Sequence, residues 1–231
     1  MELTDLIIES VKKFYAVVRE DENGRLRSWE HCYKCFYDAR KNKEKDYDYL
    51  SLQLAFYLAS WGMYRGSSFL LQKDYKVHIP VVKEIMKKEY DCLLGMECSK
   101  LRNEDIQSAL DSLYKSIEKH YDDVRKSVKE VDVKRNVSST LITKVLMGTL
   151  GCVPAYDRYF IEAIKKYKVA AGTYSTGSLL GLVDFYDNNS DKLEKLRENL
   201  DVYNLKYPQM KLLDMGFWQI GFEISGDKEM I

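Results

Sequence analysis

The sequence predicts an all-α fold, because its apolar residues recur at helical spacing through nearly the whole chain. One side of a helix over residues 4–19 carries Leu6, Ile7, Val11, Phe14, Tyr15 and Val18. No stretch alternates apolar and polar residues over the length of a strand, and no segment repeats at a fixed period. We therefore expect one multi-helix domain over residues 1–231, built either as a single mass or as two helical lobes that flank a cleft.

Helix signals divide the first half of the chain. Thr4 suits the N-cap of the first helix, EDENGR forms a turn, and a second helix covers about residues 28–40. The next segment, residues 48–72, is too apolar on all sides for a surface helix, so we expect it to be a central element. Pro80 opens another helix, and Asn103 caps a long amphipathic helix that runs to about residue 128.

The second half continues the helical pattern. Helices are predicted over residues 139–150 and 158–167, and the turn GTYSTGS follows the second of them. Further apolar helical patterns cover residues 179–188, 189–207 and 208–223.

Charge and hydropathy limit the classes of partner. Thirty-six basic residues balance thirty-six acidic ones, so the whole chain has no net field that would attract nucleic acid or an anionic membrane, and such a partner needs a local patch. No window has the roughly 18 uninterrupted apolar residues of a membrane span, and the first residues form an amphipathic helix rather than a signal peptide. We expect a cytoplasmic location and no membrane partner.

Neither a metal nor a cofactor is expected. The five cysteines are predicted to be thiols, because their number is odd and no secretory signal precedes them. Cys32 and Cys35 have the CxxC spacing, but a zinc site needs a second pair of ligands and a redox site needs a βαβ context. The histidines form no metal-binding pair, and there is no Walker loop, GxSxG or GxGxxG motif.

The stretch WGMYRGSS, residues 61–68, is unusual inside an apolar segment, because glycine in a helix costs about 1 kcal/mol relative to alanine. It indicates close backbone contact or a break in the helix. The alternatives are a tight helix crossing, with Ser68 capping the next helix, or a notch of small residues where Arg65, Ser67 and Ser68 face a ligand. The candidate pocket residues are Trp61, Arg65, Ser67 and Tyr156.

A second unusual stretch, GCVPAYDRYF, lies at the junction between two predicted helices. Pro154 ends the first helix, and Asp157 falls in the first turn of the next one. The positive end of the helix dipole stabilises an ionised carboxylate there. Asp157 is therefore either a favourable first-turn residue or a candidate catalytic carboxylate.

Basic residues concentrate around this junction. Residues 124–168 hold ten Lys and Arg against four Asp and Glu, although the whole chain is neutral. Such a region can contact several phosphates, or it can be the solvated faces of three helices. The candidate nucleic-acid-binding residues are Lys134, Arg135, Ser139, Lys144 and Arg158.

The segment LITKVLMGTLGCVPAYDRYFIEAIKKY, residues 141–167, resembles the helix-hairpin-helix DNA glycosylase superfamily, in which an apolar helix, a proline-containing turn and an aspartate precede the next helix. The resemblance implies that Asp157 supports base excision and that a flipped base enters a pocket between two lobes. Ser139 stands where bifunctional members have a lysine nucleophile, which implies a monofunctional N-glycosidic hydrolase. The stretch KRNVSS lacks the hairpin glycines, and no cysteine cluster of the iron-sulfur members follows Cys152.

The alternative function is a non-enzymatic helical protein-interaction or structural module. In that case WGMYRGSS and GCVPAYDRYF pack against each other as structural joints.

Overall fold

The computed structural model describes residues 2–129 and 137–226, and this part of the chain is mostly helical. The α-helices are α1 (Leu3–Glu20), α2 (Ser28–Lys41), α3 (Tyr47–Ser60), α4 (Ile79–Ile85), α5 (Glu104–Lys126), α6 (Ser139–Leu150), α7 (Arg158–Lys166), α8 (Thr176–Asn188), α9 (Ser190–Arg197) and α10 (Gln209–Ser225). Short 3-10 helices cover Arg25–Arg27, Phe69–Gln72, Tyr75–His78, Lys88–Leu93 and Cys98–Arg102. The predicted all-α class is confirmed.

A small hairpin interrupts the helices after α9. Strand β1 (Asp201–Val202) pairs antiparallel with β2 (Leu205–Lys206), and the two residues of the turn both have positive φ. The prediction of a helix over residues 189–207 was therefore wrong beyond Arg197. Strands of two residues are too short to show alternation, which is why the sequence pattern did not reveal them.

The central helix is α10, which packs against both α1 and α7. Every residue from Gln209 to Phe222 is buried. Two glycines permit the close packing, since a Cβ on Gly216 would press on Ile7 of α1 and a Cβ on Gly221 would overlap the Tyr159 carbonyl of α7. The last apolar segment of the chain thus forms the middle of the described structure.

The expectation that residues 48–72 are too apolar for a surface helix was wrong. The helix in this segment, α3, ends at Ser60, and Tyr49, Leu52 and Phe56 on its outer side are 46–57% exposed. Its other side packs on α2, α4 and α6. An apolar residue on every side of a helix does not guarantee that neighbouring elements cover every side.

Gly62 ends α3 because it adopts a left-handed backbone with φ of +76°. Its N–H donates to the Ala59 carbonyl at 3.0 Å, and the next N–H, that of Met63, donates to the Leu58 carbonyl at 2.8 Å. This pair of hydrogen bonds is the Schellman motif, which satisfies the last carbonyls of a helix. Of the alternatives for WGMYRGSS, the glycine therefore makes a helix end.

Gly62→Ala is expected to lower the free energy of unfolding by about 1–2 kcal/mol, because an L-residue in the left-handed region carries that penalty. Denaturant unfolding measures the loss. Gly66→Ala is the matched control, since Gly66 also has positive φ but nothing lies within 4 Å of the position of an added Cβ. If the two variants lose equal free energy of unfolding, the loss arises from the positive φ alone. If neither variant changes the denaturant midpoint, the prediction is wrong.

The described helices carry no membrane-spanning segment: within residues 2–129 and 137–226, none combines the length and the apolar character that a bilayer crossing requires. The five cysteines are free thiols. Burial raises the pKa of Cys98 and of Cys152 to about 12. No group of three or more His, Cys, Asp or Glu side chains in these two ranges has the geometry of a metal site.

Candidate functional site: a basic cleft around Asp157

A cleft of about 780 Å³ lies where the end of α3 meets the beginnings of α6 and α7. Its lining consists of residues 60–63, 65–69, 138, 140, 141, 144 and 157–159, together with Arg25 and Trp218. We call it the Asp157 cleft. The two unusual stretches of the sequence thus reach the same cavity, although some 90 residues separate them.

Asp157 is the N-cap of α7, one residue before the first helical turn in which the sequence placed it. Its carboxylate accepts a hydrogen bond from the Phe160 N–H at 3.2 Å, and its carbonyl accepts one from the Ile161 N–H at 2.9 Å. The side chain is 13% exposed. The carboxylate thus satisfies an N–H group of the first turn of α7 and lies at the positive end of the helix dipole.

Lys144 faces this carboxylate from α6. Its Nζ lies 3.3 Å from Asp157 Oδ2 and donates to the Trp61 carbonyl at 2.8 Å. The Lys144 side chain is only 6% exposed, and its ammonium lies 5.7 Å from the centroid of the Trp61 ring. Lys144 therefore links the end of α3 to the start of α7 and balances the charge of Asp157.

Three side chains hold the segment that leads to Asp157. The Ala155 N–H donates to Asp214 Oδ1 at 2.9 Å, and the Tyr156 N–H donates to Thr143 Oγ1 at 3.0 Å. Thr140 Oγ1 donates to the Tyr156 carbonyl at 2.8 Å. The main chain just before Asp157 is thus fixed from both α6 and α10, and this fixes where the carboxylate stands.

Tyr156 is not a pocket residue, contrary to the sequence-based expectation. Its side chain is fully buried in the core, and its hydroxyl forms a 2.8 Å hydrogen bond with Ser178 Oγ. Burial raises the pKa of Tyr156 to about 12. The Asp157 N–H donates to the Ala155 carbonyl at 2.8 Å, so the chain makes a γ-turn centred on Tyr156, just before Asp157 enters the cleft.

The other predicted site residues divide between the cleft and its surroundings. Trp61, Arg65 and Ser67 line the cleft, as do Lys144 and Arg158.

The first residue of α6, Ser139, is not part of the lining, whereas its neighbours Ser138 and Thr140 are. Lys134 and Arg135 lie outside the described residues. Lys165 and Lys166, which also belong to the basic region of the sequence, occupy the last turn of α7, at the opposite end of this helix from the cleft.

Arg25 is a cleft residue that the sequence did not reveal. It comes from the 3-10 helix Arg25–Arg27, and its Nη1 donates to the Ser60 carbonyl at 3.1 Å. Burial lowers the pKa of Arg25, and the positive charge of Arg65 lowers it further. No local pattern marks Arg25, because only the fold brings it next to the end of α3.

The aromatic side of the cleft was also missed. Trp218 of α10 meets Trp61 edge-to-face with ring centroids 5.8 Å apart, and Tyr159 packs on Trp218 in the same way at 5.2 Å. The Nε1 atoms of both tryptophans are buried and have no hydrogen-bond acceptor among the described residues. The guanidinium of Arg158 lies 4.5 Å from the centroid of the Tyr159 ring. The cleft thus combines cationic side chains with an aromatic wall.

Comparisons with known proteins assign no function to this cleft. No family model matches the chain, and neither do any curated protein or any solved structure.

Proposed function

We propose that the Asp157 cleft binds nucleic acid and that Asp157 is the carboxylate of an N-glycosidic hydrolysis in it. One observation carries the proposal: an N-cap carboxylate stands inside a cleft whose other charged lining residues, within 2–129 and 137–226, are all cations. The cations are Arg25, Arg65, Lys144 and Arg158. Among the lining residues within 2–129 and 137–226, Asp157 is the only carboxylate.

The lining suits the two parts of a nucleotide. Arg and Lys side chains neutralise backbone phosphates, and a flat aromatic surface such as that of the half-buried Trp61 stacks with bases. The volume of about 780 Å³ is in the range of small-molecule pockets and accommodates a single extruded base with its sugar.

Hydrolysis of an N-glycosidic bond develops positive charge on the sugar as the base departs. A fixed carboxylate stabilises that charge most strongly where water is excluded, and Asp157 is both fixed by α7 and largely buried. In the free protein the Lys144 ammonium balances the carboxylate. The positive charge that develops on the sugar then shares this carboxylate with the Lys144 ammonium, which stays bound to the Trp61 carbonyl.

Asp157→Asn tests the catalytic role. The wild type is expected to release a base from at least one member of a panel of damaged and mismatched oligonucleotides, and the variant is expected to bind that member without releasing the base. The free energy of unfolding is expected to fall by about 1–3 kcal/mol, because Lys144 keeps an acceptor but loses its charged partner. Gel analysis of base release and denaturant unfolding measure the two effects.

Glu194→Gln is the control. Glu194 is also a partly buried carboxylate that pairs with a cation, Arg197, and accepts hydrogen bonds from Tyr186 and Gln209, but it neither lines the cleft nor holds the segment before Asp157. It is expected to lose stability without losing base release, measured well below the unfolding midpoint. If both variants lose base release to the same extent, Asp157 is a structural residue. If the wild type releases no base from any substrate of the panel, the proposed hydrolase activity is refuted.

A non-enzymatic protein-interaction module is the second candidate. The observation that favours it is the exposed apolar side of α3, where Tyr49, Leu52 and Phe56 are 46–57% exposed. The bonds of Lys144 to Trp61 and Asp157 then serve only to join α3, α6 and α7. Salt-dependent binding of oligonucleotides supports the first candidate, and its absence supports the second.

A further inference from the structure

Two arginines of the Asp157 cleft converge on the end of α3. Arg25 bonds the Ser60 carbonyl at 3.1 Å, and the Arg65 Nε lies 2.9 Å from the position that a Cβ on Gly62 would occupy. Both side chains therefore lie against the end of α3 and its cap, residues 60–62, although 40 positions separate the two arginines in the sequence. Their charges are close enough for Arg65 to lower the pKa of Arg25.

Like charges in one place are unfavourable, and an anion between them removes the repulsion. The carbonyls at the end of α3 can stabilise a cation, which accounts for one arginine there. A second cation adds repulsion that the helix end does not require. The side chain of Arg65 forms no hydrogen bond or ion pair with any residue in 2–129 or 137–226, and it is exposed.

The other cationic residues of the lining have partners within it. Lys144 is bound to Asp157 and to the Trp61 carbonyl. The guanidinium of Arg158 lies over the Tyr159 ring and donates to its hydroxyl at 2.7 Å. Arg65 is therefore the cation best placed to meet an incoming anion.

The residues after Arg65 leave space and a donor for such an anion. Gly66 has φ of +58°, and nothing lies within 4 Å of the position of an added Cβ. Ser67 lines the cleft beside it, and its hydroxyl forms no hydrogen bond with any described residue. The neighbouring hydroxyls of Ser60 and Ser68 already donate to the main-chain carbonyls of Phe56 and Met63.

We propose that Arg25, Arg65 and Ser67 bind one phosphate group, and that in the proposed function this group belongs to the nucleic-acid backbone. Guanidinium groups hold phosphate oxygens through paired N–H donors, and a serine hydroxyl adds one more. The site is separate from the Lys144–Asp157 pair, so it positions the strand while Asp157 acts on the sugar. The inference rests on the proposed function only for the source of the phosphate.

Arg65→Gln and Arg25→Gln test the site, with inorganic pyrophosphate and a labelled oligonucleotide as probes. Each variant is expected to weaken the binding of both probes roughly tenfold, the effect of one charge-assisted contact. The slope of log K against log salt for the oligonucleotide is expected to become shallower by about 1. Calorimetry with pyrophosphate and fluorescence anisotropy with the oligonucleotide measure these effects, and circular dichroism verifies folding.

Arg102→Gln is the control, because Arg102 is an arginine with 49% of its side chain exposed that pairs with Asp184 and Asp187 and does not line the cleft. It removes the same charge and is expected to leave both affinities unchanged. If Arg102→Gln and Arg65→Gln lose equal affinity for the probes, the effect is one of overall charge and the phosphate site is refuted.

The two probes separate this site from the proposed function. Binding of pyrophosphate that depends on Arg65, without any binding of oligonucleotides, supports the phosphate site and refutes the nucleic-acid function. If Arg25→Gln and Arg65→Gln bind oligonucleotides and release the base as the wild type does, the phosphate site is refuted and the proposed function is unaffected. Failure of the wild type to bind either probe overturns the site as well.

Discussion

Gly221→Ala is expected to lower the free energy of unfolding by about 3 kcal/mol or more, at the upper end of overpacking effects. The added Cβ would overlap the carbonyl oxygen of Tyr159 and lie close to the neighbouring main-chain atoms. Backbone atoms of a helix cannot move aside as the end of a flexible side chain can, so α7 and α10 must separate. Because α10 is the central helix, the separation disturbs the core on both of its sides.

Denaturant and thermal unfolding measure this effect, and Gly177→Ala is the control. Gly177 lies in the first turn of α8, and an added Cβ meets nothing within 4 Å. Alanine there is expected to be neutral or to stabilise the protein by up to about 1 kcal/mol. If Gly221→Ala is as stable as Gly177→Ala, the close contact between α7 and α10 is wrong.

Asp214→Ala is expected to cost about 3–5 kcal/mol, the range for breaking a buried ion pair from one side. Asp214 Oδ2 lies 2.8 Å from Lys211 Nζ, and both side chains are almost fully buried. The variant leaves the Lys211 ammonium without its carboxylate and the Ala155 N–H without its acceptor. Denaturant unfolding measures the loss as a lower midpoint, with an unchanged slope of the free energy of unfolding against denaturant concentration.

Replacing both members of the pair is expected to restore much of this stability. Lys211 Nζ lies 5.0–5.5 Å from the ring centroids of Phe14, Trp29 and Trp61, surroundings that suit an apolar methionine. The double variant Lys211→Met with Asp214→Asn removes both charges and keeps an acceptor for the Ala155 N–H. If it is no more stable than Asp214→Ala, the unpaired ammonium is not the origin of the loss.

Local signals in the sequence predicted the features that depend on neighbouring residues. The helix over residues 139–150 has the predicted bounds, and the proline turn with an aspartate does start α7, with an error of one position for Asp157. Capping and periodicity act within a few residues, so one segment of sequence contains the whole signal.

Features that arise from packing between distant segments were not predictable in the same way. Arg25 and Trp218 enter the cleft from opposite ends of the sequence, and no spacing connects them to Asp157. The burial of Tyr156 follows from the direction of the backbone beside α10. Likewise α3 and α10 are both strongly apolar, and only the positions of their neighbours decide that α10 is central.

The bonds of Lys144 have a consequence for how a ligand would be received. One ammonium ties the carbonyl at the end of α3 to the carboxylate at the start of α7 and so acts as a cross-brace between two walls of the cleft. Widening the cleft separates buried opposite charges, which is costly in a medium of low dielectric constant. The cavity is therefore preorganised: little conformational entropy remains to be lost on binding, and ligands are selected by how well they fit a width that is already set.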